Sequence, residues 1–361
     1  MAPVTLPAVS VVMPIRNEER HLADSVRHVL SQEYPGELEL ILAVGPSRDR
    51  TAEIAERIAA SDSRVTVVPN PSGQIPSAVN AAIKASRHSI VARVDGHCEL
   101  PDGYLRTAVT ALDQTGAANV GGIMAAAGVT PFQQAVAWAM TSPFGVGAAR
   151  FHTGGQPGPA DTVYLGVYRR AAIEQVGGYD ETFLVAEDWE MNHRIRQAGG
   201  LIWFLPEISV TYRPRATTRT LALQYFRYGR WRRVVARQHA GTINYRYLAP
   251  PAAVAAVAAA LLAGIAGLAS LAAGAGTWAT VLASAGFAVP LLYLAGITAV
   301  SALAARRLPA AVAARLPLVL TTMHMSWGSG FLTSPARLVP PATAPSQQPA
   351  AAVSPHPVSP S

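Results

Sequence analysis

The sequence predicts an α/β domain with a mostly parallel sheet flanked by helices, followed by a C-terminal transmembrane helical region. Two observations support this fold class. Short apolar runs alternate with helical patterns through residues 8–125, and residues 247–305 contain no Asp, Glu, Lys or Arg. A chain of 361 residues has room for one sizeable soluble domain and an accessory region.

The alternation in residues 8–125 predicts four strands and three helices. Nearly continuous apolar strands are typical of a parallel sheet that helices cover on both faces. Ligands in such sheets bind beyond the carboxyl ends of the strands. The polar residues after Met13, Val44 and Val94 should therefore lie at one edge of the sheet. The predicted strands cover residues 9–13, 38–44, 65–68 and 90–94, and the predicted helices cover residues 21–32, 50–60 and 77–85.

Residues 126–246 complete the predicted soluble domain, which covers residues 1–246. A helical pattern covers residues 131–140, and a loop rich in Gly and Pro covers residues 145–159. A loop of that length within a compact domain is usually functional or mobile.

Residues 247–333 form the predicted membrane region. At about 1.5 Å per residue, its charge-free part is long enough to cross a hydrocarbon core of about 30 Å twice. The alternative is a buried Ala-rich hairpin, although helices of soluble proteins rarely lack charge on every face. The predicted helices cover about residues 251–273, 278–304 and 316–332.

The last of these segments, 316–332, contains His324 and allows two interpretations. It is either a packed third helix with a buried histidine or an interfacial element that contacts a lipid. Residues 334–361 are rich in Pro, Ala and Ser, which predicts a disordered tail.

Positive charge is concentrated directly before the apolar region. Nine arginines and no acidic residue lie between Ile208 and Arg246, and Glu207 is the last acidic residue of the chain. Such a stretch suits an anionic membrane surface or an anionic substrate, and basic flanks of membrane spans stay in the cytoplasm. We therefore expect a multi-pass protein of the inner (cytoplasmic) membrane with a cytoplasmic domain. Nucleic acid is not an expected partner, because no zinc-finger, helix-turn-helix or RNA-binding motif is present.

Asp95 and His97 stand two residues apart, directly after an apolar strand. One carboxylate and one imidazole can anchor Mg²⁺ or Mn²⁺ when substrate phosphates supply the remaining ligands. The alternative is an Asp-Gly turn without a ligand. The single cysteine, Cys98, excludes an internal disulfide framework and a multi-cysteine metal site.

Glu187 and Asp188 precede a helical pattern at residues 189–197. Acidic residues at a helix N-terminus often act only as caps, which stabilise the helix by about 1 kcal/mol. The functional interpretation is a general base that deprotonates a hydroxyl nucleophile. Two adjacent carboxylates can also divide the work, one as the base and the other holding the acceptor.

Gln224, Arg227 and Trp231 are spaced to share one face of a helix. Arg227 can pair with a diphosphate through its planar guanidinium group. The alternative is an interfacial helix with snorkelling arginines and an aromatic belt. Both interpretations can hold at once, because the helix has two sides.

Together these motifs resemble family 2 inverting glycosyltransferases of the Rossmann-like GT-A fold. More narrowly, they resemble the membrane-anchored, succinoglycan-type enzymes of bacterial exopolysaccharide biosynthesis. The match covers about residues 8–235. Two motifs depart from the family pattern: Val44-Gly45-Pro46 stand where the family has acidic residues, and His97 replaces the second aspartate of the metal motif. The matching motifs are VVMPIRNE at 11–18, SRDRT at 47–51, DGH at 95–97, GVYR at 166–169, GGYDE at 177–181 and QYFRYGRW at 224–231.

The resemblance implies a role for each matching residue. Asp188 is the implied general base and Glu187 the second catalytic residue, and Gly166 and Glu187 are implied at the acceptor. The implied metal ligands are Asp95 and His97, with Mn²⁺ or Mg²⁺ as the cofactor. The implied donor-binding residues are Pro14, Arg16, Glu18, Ser47, Asp49, Gln74, Asn80 and Asp95, and the implied diphosphate-binding residues are Gln224, Arg227 and Trp231.

The implied reaction moves a sugar, with inversion, from a nucleotide-diphosphate donor to a hydroxyl of a lipid-linked (polyprenyl-diphosphate) saccharide. The default donor is a UDP-sugar. Residues 8–125 are then the nucleotide-binding half and residues 126–246 the acceptor half, and other polysaccharide-assembly proteins are further partners.

Three alternatives stay open. A processive polysaccharide synthase needs more spans to line a channel. A polyprenyl-phosphate sugar transferase acts on a carrier phosphate, which needs no general base. A non-catalytic membrane scaffold with a degenerate fold is the third, and the intact Asp95, Asp188 and Arg227 argue against it.

Overall fold

The computed structural model describes residues 6–147, 149–336 and 338 of the chain. Within them, eight strands form one mixed sheet: β1 Val9–Ile15, β2 Leu38–Val44, β3 Val65–Pro69, β4 Ile90–Arg93, β5 Asn119–Ala126, β6 Gly158–Pro159, β7 Tyr164–Arg169 and β8 Ile202–Tyr212.

The helices of the described residues flank this sheet and then continue beyond it. They are α1 Leu22–Leu30, α2 Thr51–Ser61, α3 Ile75–Ala85, α4 Tyr104–Thr115, α5 Pro131–Met140, α6 Pro143–Val146, α7 Arg150–Thr153, α8 Arg170–Gln175, α9 Glu187–Gln197, α10 Thr218–Gln238, α11 Tyr245–Ala272, α12 Thr277–Ala305, α13 Ala310–Ala313 and α14 Leu316–Leu332.

The strand order is β3-β2-β1-β4-β7-β5-β8-β6. β1 pairs in parallel with β2 and β4, and β2 pairs in parallel with β3, as the apolar runs predict. β7 lies antiparallel between β4 and β5. This insertion joins the first half of the domain to β5 and β8, which pair in parallel. The predicted fold class, a mostly parallel sheet flanked by helices, is confirmed.

Hydrophobic side chains fill both faces of the sheet because adjacent residues of a strand point to opposite sides. Val11 packs on one face with Leu22 of α1, and the neighbouring Val12 packs on the other face with Ala82 of α3 and Met191 of α9. A strand buried on both faces must be apolar at consecutive positions, which explains the continuous run in β1.

The segment 145–159, predicted as a loop, contains α7, β6 and the end of α6. The hydroxyl of Ser142 caps α6 by accepting from the N–H of Phe144 at 3.3 Å. Arg150 donates to the carbonyl oxygens of Gln156 and Pro159, both at 2.8 Å. These side-chain bonds to the backbone add to the pairing of β6 with β8 in giving the segment its local structure.

α11 and α12 are both long and apolar enough to cross a membrane. Only 11% and 17% of their most apolar windows are buried among the described residues, which contradicts the alternative of a buried hairpin. α11 begins at Tyr245 rather than at the predicted 251, because the Asn244 side chain caps it by accepting from the N–H of Arg246 at 3.1 Å.

α14 is packed against the soluble domain. Leu316, Leu320 and Met323 are fully buried in a cluster with residues of α5 and α10. The His324 ring lies 2.7 Å from the carbonyl oxygen of Phe144. These are the contacts of a packed third helix. The predicted tail at 334–361 falls largely outside the described residues.

Candidate active site

The loops after β1 and β2 lie against each other at the carboxyl edge of the sheet. The Ser47 hydroxyl accepts a hydrogen bond from the N–H of Asn17 at 3.1 Å. The Asp49 carboxylate accepts one from the N–H of Glu19 at 3.2 Å and one from the Thr51 hydroxyl at 2.6 Å. In this structure, Ser47 and Asp49 therefore hold the shape of the loop that carries Glu18.

The start of α3 joins the same edge. Arg16 donates to the carbonyl oxygen of Gly73 at 3.2 Å, and the adjacent Gln74 is the exposed N-cap residue of α3. Asn80 lies further along α3, where its amide group donates to the Tyr179 carbonyl oxygen at 2.8 Å and accepts from its N–H at 2.9 Å. The structure thus brings Arg16, Ser47, Asp49 and Gln74 together, with Pro14 near the end of β1, whereas Asn80 holds the turn before α9.

Arg93, the last residue of β4, lies at the centre of the site and is only 5% exposed. Its guanidinium group contacts Asp95 at 3.3 Å and Glu187 at 3.1 Å, and it also donates to Asp188. The Tyr179 hydroxyl donates to the same Asp188 carboxylate at 2.9 Å. One buried arginine therefore joins two acidic motifs that are far apart in the sequence. We call these four charged residues the Arg93 cluster.

The Arg93 cluster carries excess negative charge, because one guanidinium group faces three carboxylates. Burial, with a smaller effect of the neighbouring Asp188, raises the pKa of Glu187 to about 7 against the opposing effect of Arg93. Burial alone would lower the pKa of Arg93, but the negative charges, led by Asp188, outweigh it and raise the pKa well above its usual value. The arginine therefore stays charged, and the cluster attracts a further cation.

The backbone directly before Glu187 is strained. Ala186 has φ 66°, in the left-handed region that residues with a Cβ rarely adopt, and it is the N-cap of α9 without a side-chain cap. The Asp188 carboxylate bonds to Arg93 and Tyr179. These bonds link the start of α9 to β4 and to the turn before α9, and the role of Asp188 as a base stays a prediction.

Asp95, His97 and Cys98 place potential ligand atoms within 4.8 Å of one another. His97 Nδ1 is 3.0 Å from Glu18 Oε1, and this hydrogen bond raises the pKa of His97 despite its burial. Burial raises the pKa of the Cys98 thiol to about 12, so the thiol keeps its proton at neutral pH. Asp95 and His97 remain as candidate ligands, with Glu18 beside them.

The three α10 residues have different environments. Gln224 donates to the hydroxyl groups of Tyr212 at 2.9 Å and Tyr228 at 3.0 Å. Arg227 is exposed, and Trp231 is 7% exposed with its ring centroid 6.0 Å from that of Phe183. The structure therefore leaves Arg227 facing solvent and packs Trp231 into a small core.

Gly166 is buried within β7. A Cβ at this position would lie 2.5 Å from the Asn119 side chain and 2.5 Å from the Tyr168 ring. The glycine allows these side chains to pack over the strand. Its predicted place at the acceptor stays a prediction.

Sequence reasoning did not identify Arg93 or Tyr179 as functional residues. The signal for Arg93 was available, because an arginine inside an apolar strand requires a buried anionic partner. Its three partners are distant in sequence or follow a turn, so the fold was needed to identify them.

Comparison with known proteins agrees with this site. Residues 10–177 match the family described as Glycosyl transferase family 2. Succinoglycan biosynthesis protein ExoA of Rhizobium meliloti (strain 1021) is 34% identical over 244 residues, which cover 67% of this chain and 74% of that protein. A dolichyl N-acetyl-alpha-D-glucosaminyl phosphate 3-beta-D-2,3-diacetamido-2,3-dideoxy-beta-D-glucuronosyltransferase of Methanococcus voltae is 21% identical over 251 residues, which cover 67% and 77%.

Among solved structures, mannosyltransferase PcManGT from Pyrobaculum calidifontis, in complex with GDP-Man and Mn²⁺, superposes with a TM-score of 0.57 at 20% identity. The match covers 88% of this chain and 87% of that one, and it confirms the predicted GT-A fold. The fold, the matched segment and the extent of the likeness to ExoA agree, and the chain belongs to glycosyl transferase family 2.

Proposed function

We propose that this glycosyltransferase moves a sugar from a UDP-sugar to a hydroxyl group of a lipid-linked saccharide, with inversion, in exopolysaccharide or cell-envelope glycan synthesis. The observation that carries the proposal is the Arg93 cluster, which joins the candidate metal motif at Asp95 to the candidate base Asp188. The name of the relative ExoA supports the pathway. The name of the Methanococcus voltae relative supports a lipid-linked saccharide as acceptor.

In this proposal Asp188 accepts the proton of the acceptor hydroxyl as the oxygen attacks the anomeric carbon. The bond from that carbon to the nucleotide diphosphate breaks in the same displacement, so an α-linked donor gives a β-linked product. Arg93 and Tyr179 hold the Asp188 carboxylate in one orientation through their hydrogen bonds. Arg227 is exposed on α10 and available to the departing diphosphate.

Asp95 and His97 fit a divalent cation. One carboxylate oxygen and one imidazole nitrogen suit Mn²⁺ in particular, and the excess negative charge of the Arg93 cluster favours any cation. When bound, the cation would neutralise charge on the diphosphate group. The neighbouring Glu18, hydrogen-bonded to His97, holds that ring.

Membrane insertion of α11 and α12 is part of the proposal. Both are apolar and mostly exposed. The arginines before α11 and the Arg306–Arg307 pair after α12 favour a cytoplasmic location for both ends of the hairpin. Two spans are fewer than a chain-conducting channel requires, which argues against a processive synthase.

The test uses the full chain purified in detergent, with a panel of nucleotide sugars, Mn²⁺ or Mg²⁺, and a lipid extract as acceptor. Asp188→Asn should lower the transfer rate by about 10²–10⁴-fold, the usual contribution of a general base, while nucleotide binding persists. Asp113→Asn, an exposed change on α4, is the charge-matched control and should behave as wild type.

Two results would contradict the proposal. Undiminished transfer by Asp188→Asn would show that Asp188 is not the general base. It would favour a carrier phosphate as acceptor, since a phosphate needs no deprotonation. No turnover and no nucleotide binding by the wild type would favour the non-catalytic scaffold.

A further inference from the structure

Arg232 on α10 is held between two aromatic rings. Its guanidinium carbon lies 4.4 Å from the ring centroid of Trp189 and 4.0 Å from that of Tyr247. The residue is 7% exposed. Because aromatic rings contact the planar group, its N–H edge is the part left for hydrogen bonding.

Only part of the N–H edge of Arg232 takes part in hydrogen bonds. One Nη of Arg232 donates to the carbonyl oxygen of Thr242, whereas its Nε is buried without a hydrogen-bond partner. Arg246 contacts the same Tyr247 ring, with its guanidinium carbon 4.7 Å from the ring centroid. Its Nη2 donates to the Tyr247 hydroxyl at 2.6 Å, and its Nε is likewise buried without a partner. Both guanidinium groups therefore have a buried N–H that is free to donate.

No anion balances these two arginines in the described part of the chain. Neither has a carboxylate oxygen within 4.0 Å, and the chain has no acidic residue after Glu207. Asp161, which acts on Arg232 from further away, is paired with Arg196 at 3.3 Å. A buried cation without an anionic partner is costly, so the arrangement indicates an anionic ligand.

The pair lies between the Arg93 cluster and the apolar helices. Trp189 follows the candidate base Asp188 in the first turn of α9, and Tyr247 lies in the first turn of α11. Trp327 of α14 stacks on Tyr247, with ring centroids 6.4 Å apart and an interplanar angle of 11°. An anion held here would be close to both the base and the start of the apolar hairpin.

We propose that Arg232 and Arg246 bind the phosphate groups of the lipid-linked acceptor, with the lipid along the apolar helices and the sugar toward Asp188. This inference rests on the proposed function, because it assigns the acceptor of the same reaction. The Trp189 and Tyr247 rings orient Arg232, and its N–H edge can supply directional hydrogen bonds to a phosphate group. General attraction to anionic lipid headgroups does not require such an orientation.

The test measures binding to the full chain in uncharged detergent, with farnesyl diphosphate as the probe and farnesol as its uncharged counterpart. Arg232→Gln should weaken farnesyl diphosphate binding by about 10–100-fold, the effect of losing a charge-assisted hydrogen bond, and leave farnesol binding unchanged. Arg246→Gln, a second variant at a less buried position, should also weaken it. Arg237→Gln removes the same charge from the same helix and should bind as wild type.

UDP binding and the melting temperature check that each variant is folded. If Arg232→Gln is unfolded, Arg246→Gln decides the question. Equal losses in Arg232→Gln and Arg237→Gln, or an equal loss of binding to phosphatidylglycerol vesicles, would overturn the specific site and indicate general attraction to anionic headgroups.

The two proposals fail separately. Transfer from a nucleotide sugar with an acceptor KM that Arg232→Gln leaves unchanged would overturn the phosphate site and keep the proposed function. No transfer by the wild type, together with Arg232-dependent binding of farnesyl diphosphate, would overturn the proposed function and keep a lipid-phosphate site.

Discussion

Replacing Arg93 with methionine removes the single cation that three carboxylates share. The guanidinium group is 5% exposed, so water cannot replace it without opening the domain. Removing one partner of a buried ion pair costs about 3–5 kcal/mol, because the remaining charge is left uncompensated. At about 2–4 °C per kcal/mol for a domain of this size, we expect the melting temperature to fall by about 6–20 °C.

The assay is thermal unfolding of the full chain in detergent and EDTA, with Arg27→Met as the matched control. Arg27 also forms a short ion pair, at 2.6 Å with Asp24, but the two side chains are 68% and 59% exposed. An exposed pair contributes about 0–1 kcal/mol, so this variant should melt within about 4 °C of wild type.

A second substitution separates charge from packing. Adding Glu187→Gln to Arg93→Met removes one of the uncompensated carboxylates and should recover part of the lost stability. The reasoning is refuted if Arg93→Met melts like Arg27→Met, or if the double variant is no more stable than Arg93→Met alone.

Three further predictions concern the candidate metal site, Glu187 and the packing of α10 on α14. EDTA should lower the transfer rate of the wild type by at least about 100-fold. Added Mn²⁺ should restore the rate of the wild type but not that of Asp95→Ala. Restoration in Asp95→Ala would show that Asp95 is not a metal ligand. Burial raises the pKa of Glu187 from 4.5 to about 7, so the fold favours the neutral carboxyl group. The stability that this group contributes is therefore complete below pH 4.5 and is lost as the pH rises through about 7. In EDTA, Glu187→Gln should remove that decline of up to about 3 kcal/mol from the pH dependence of unfolding, and an unchanged profile would contradict the assignment. Gly229→Ala should destabilise the chain by about 1–3 kcal/mol, because a Cβ would overlap the carbonyl oxygen of Trp327. Gly296→Ala, the control, adds a Cβ with nothing within 4 Å and should be neutral or slightly stabilising. Equal melting temperatures of the two variants would contradict the close packing of α10 on α14.

The predicted strands β1 to β4 and helices α1 to α3 have local signals, whereas α4 and β5 of the same half were not predicted. β2 has its predicted bounds, and β1 differs only at its end. The antiparallel insertion of β7 between β4 and β5 was not predictable, because pairing partners are set by contacts between distant parts of the chain. α11 begins before its predicted start, with Asn244 as its N-cap and with Pro250 and Pro251 inside the helix, a combination that the proline pattern argues against.

The candidate site was predicted in its acidic members and not in what connects them. Asp95 and Asp188 each followed from a motif, since a carboxylate after a strand or before a helix stands out in sequence. Tyr179 resembled an ordinary turn residue, and Arg93 in an apolar strand indicated a buried anionic partner without indicating which one. Their importance depends on the approach of α9 to β4, which no local pattern encodes.

Close contact between α10 and α14 links the Arg93 cluster to the apolar helices. Gly229 and Gly330 lack side chains where each helix meets the backbone of the other, so the two helices pack at short range. Further along α10, Trp231 packs on Phe183, shortly before the α9 residue Asp188. The same helix therefore contacts both the segment before the base and the helix beside the hairpin. Misplacing reacting groups by about 1 Å can cost 10²-fold in rate, so the proposed proton transfer to Asp188 from a lipid-linked acceptor would require such a rigid connection.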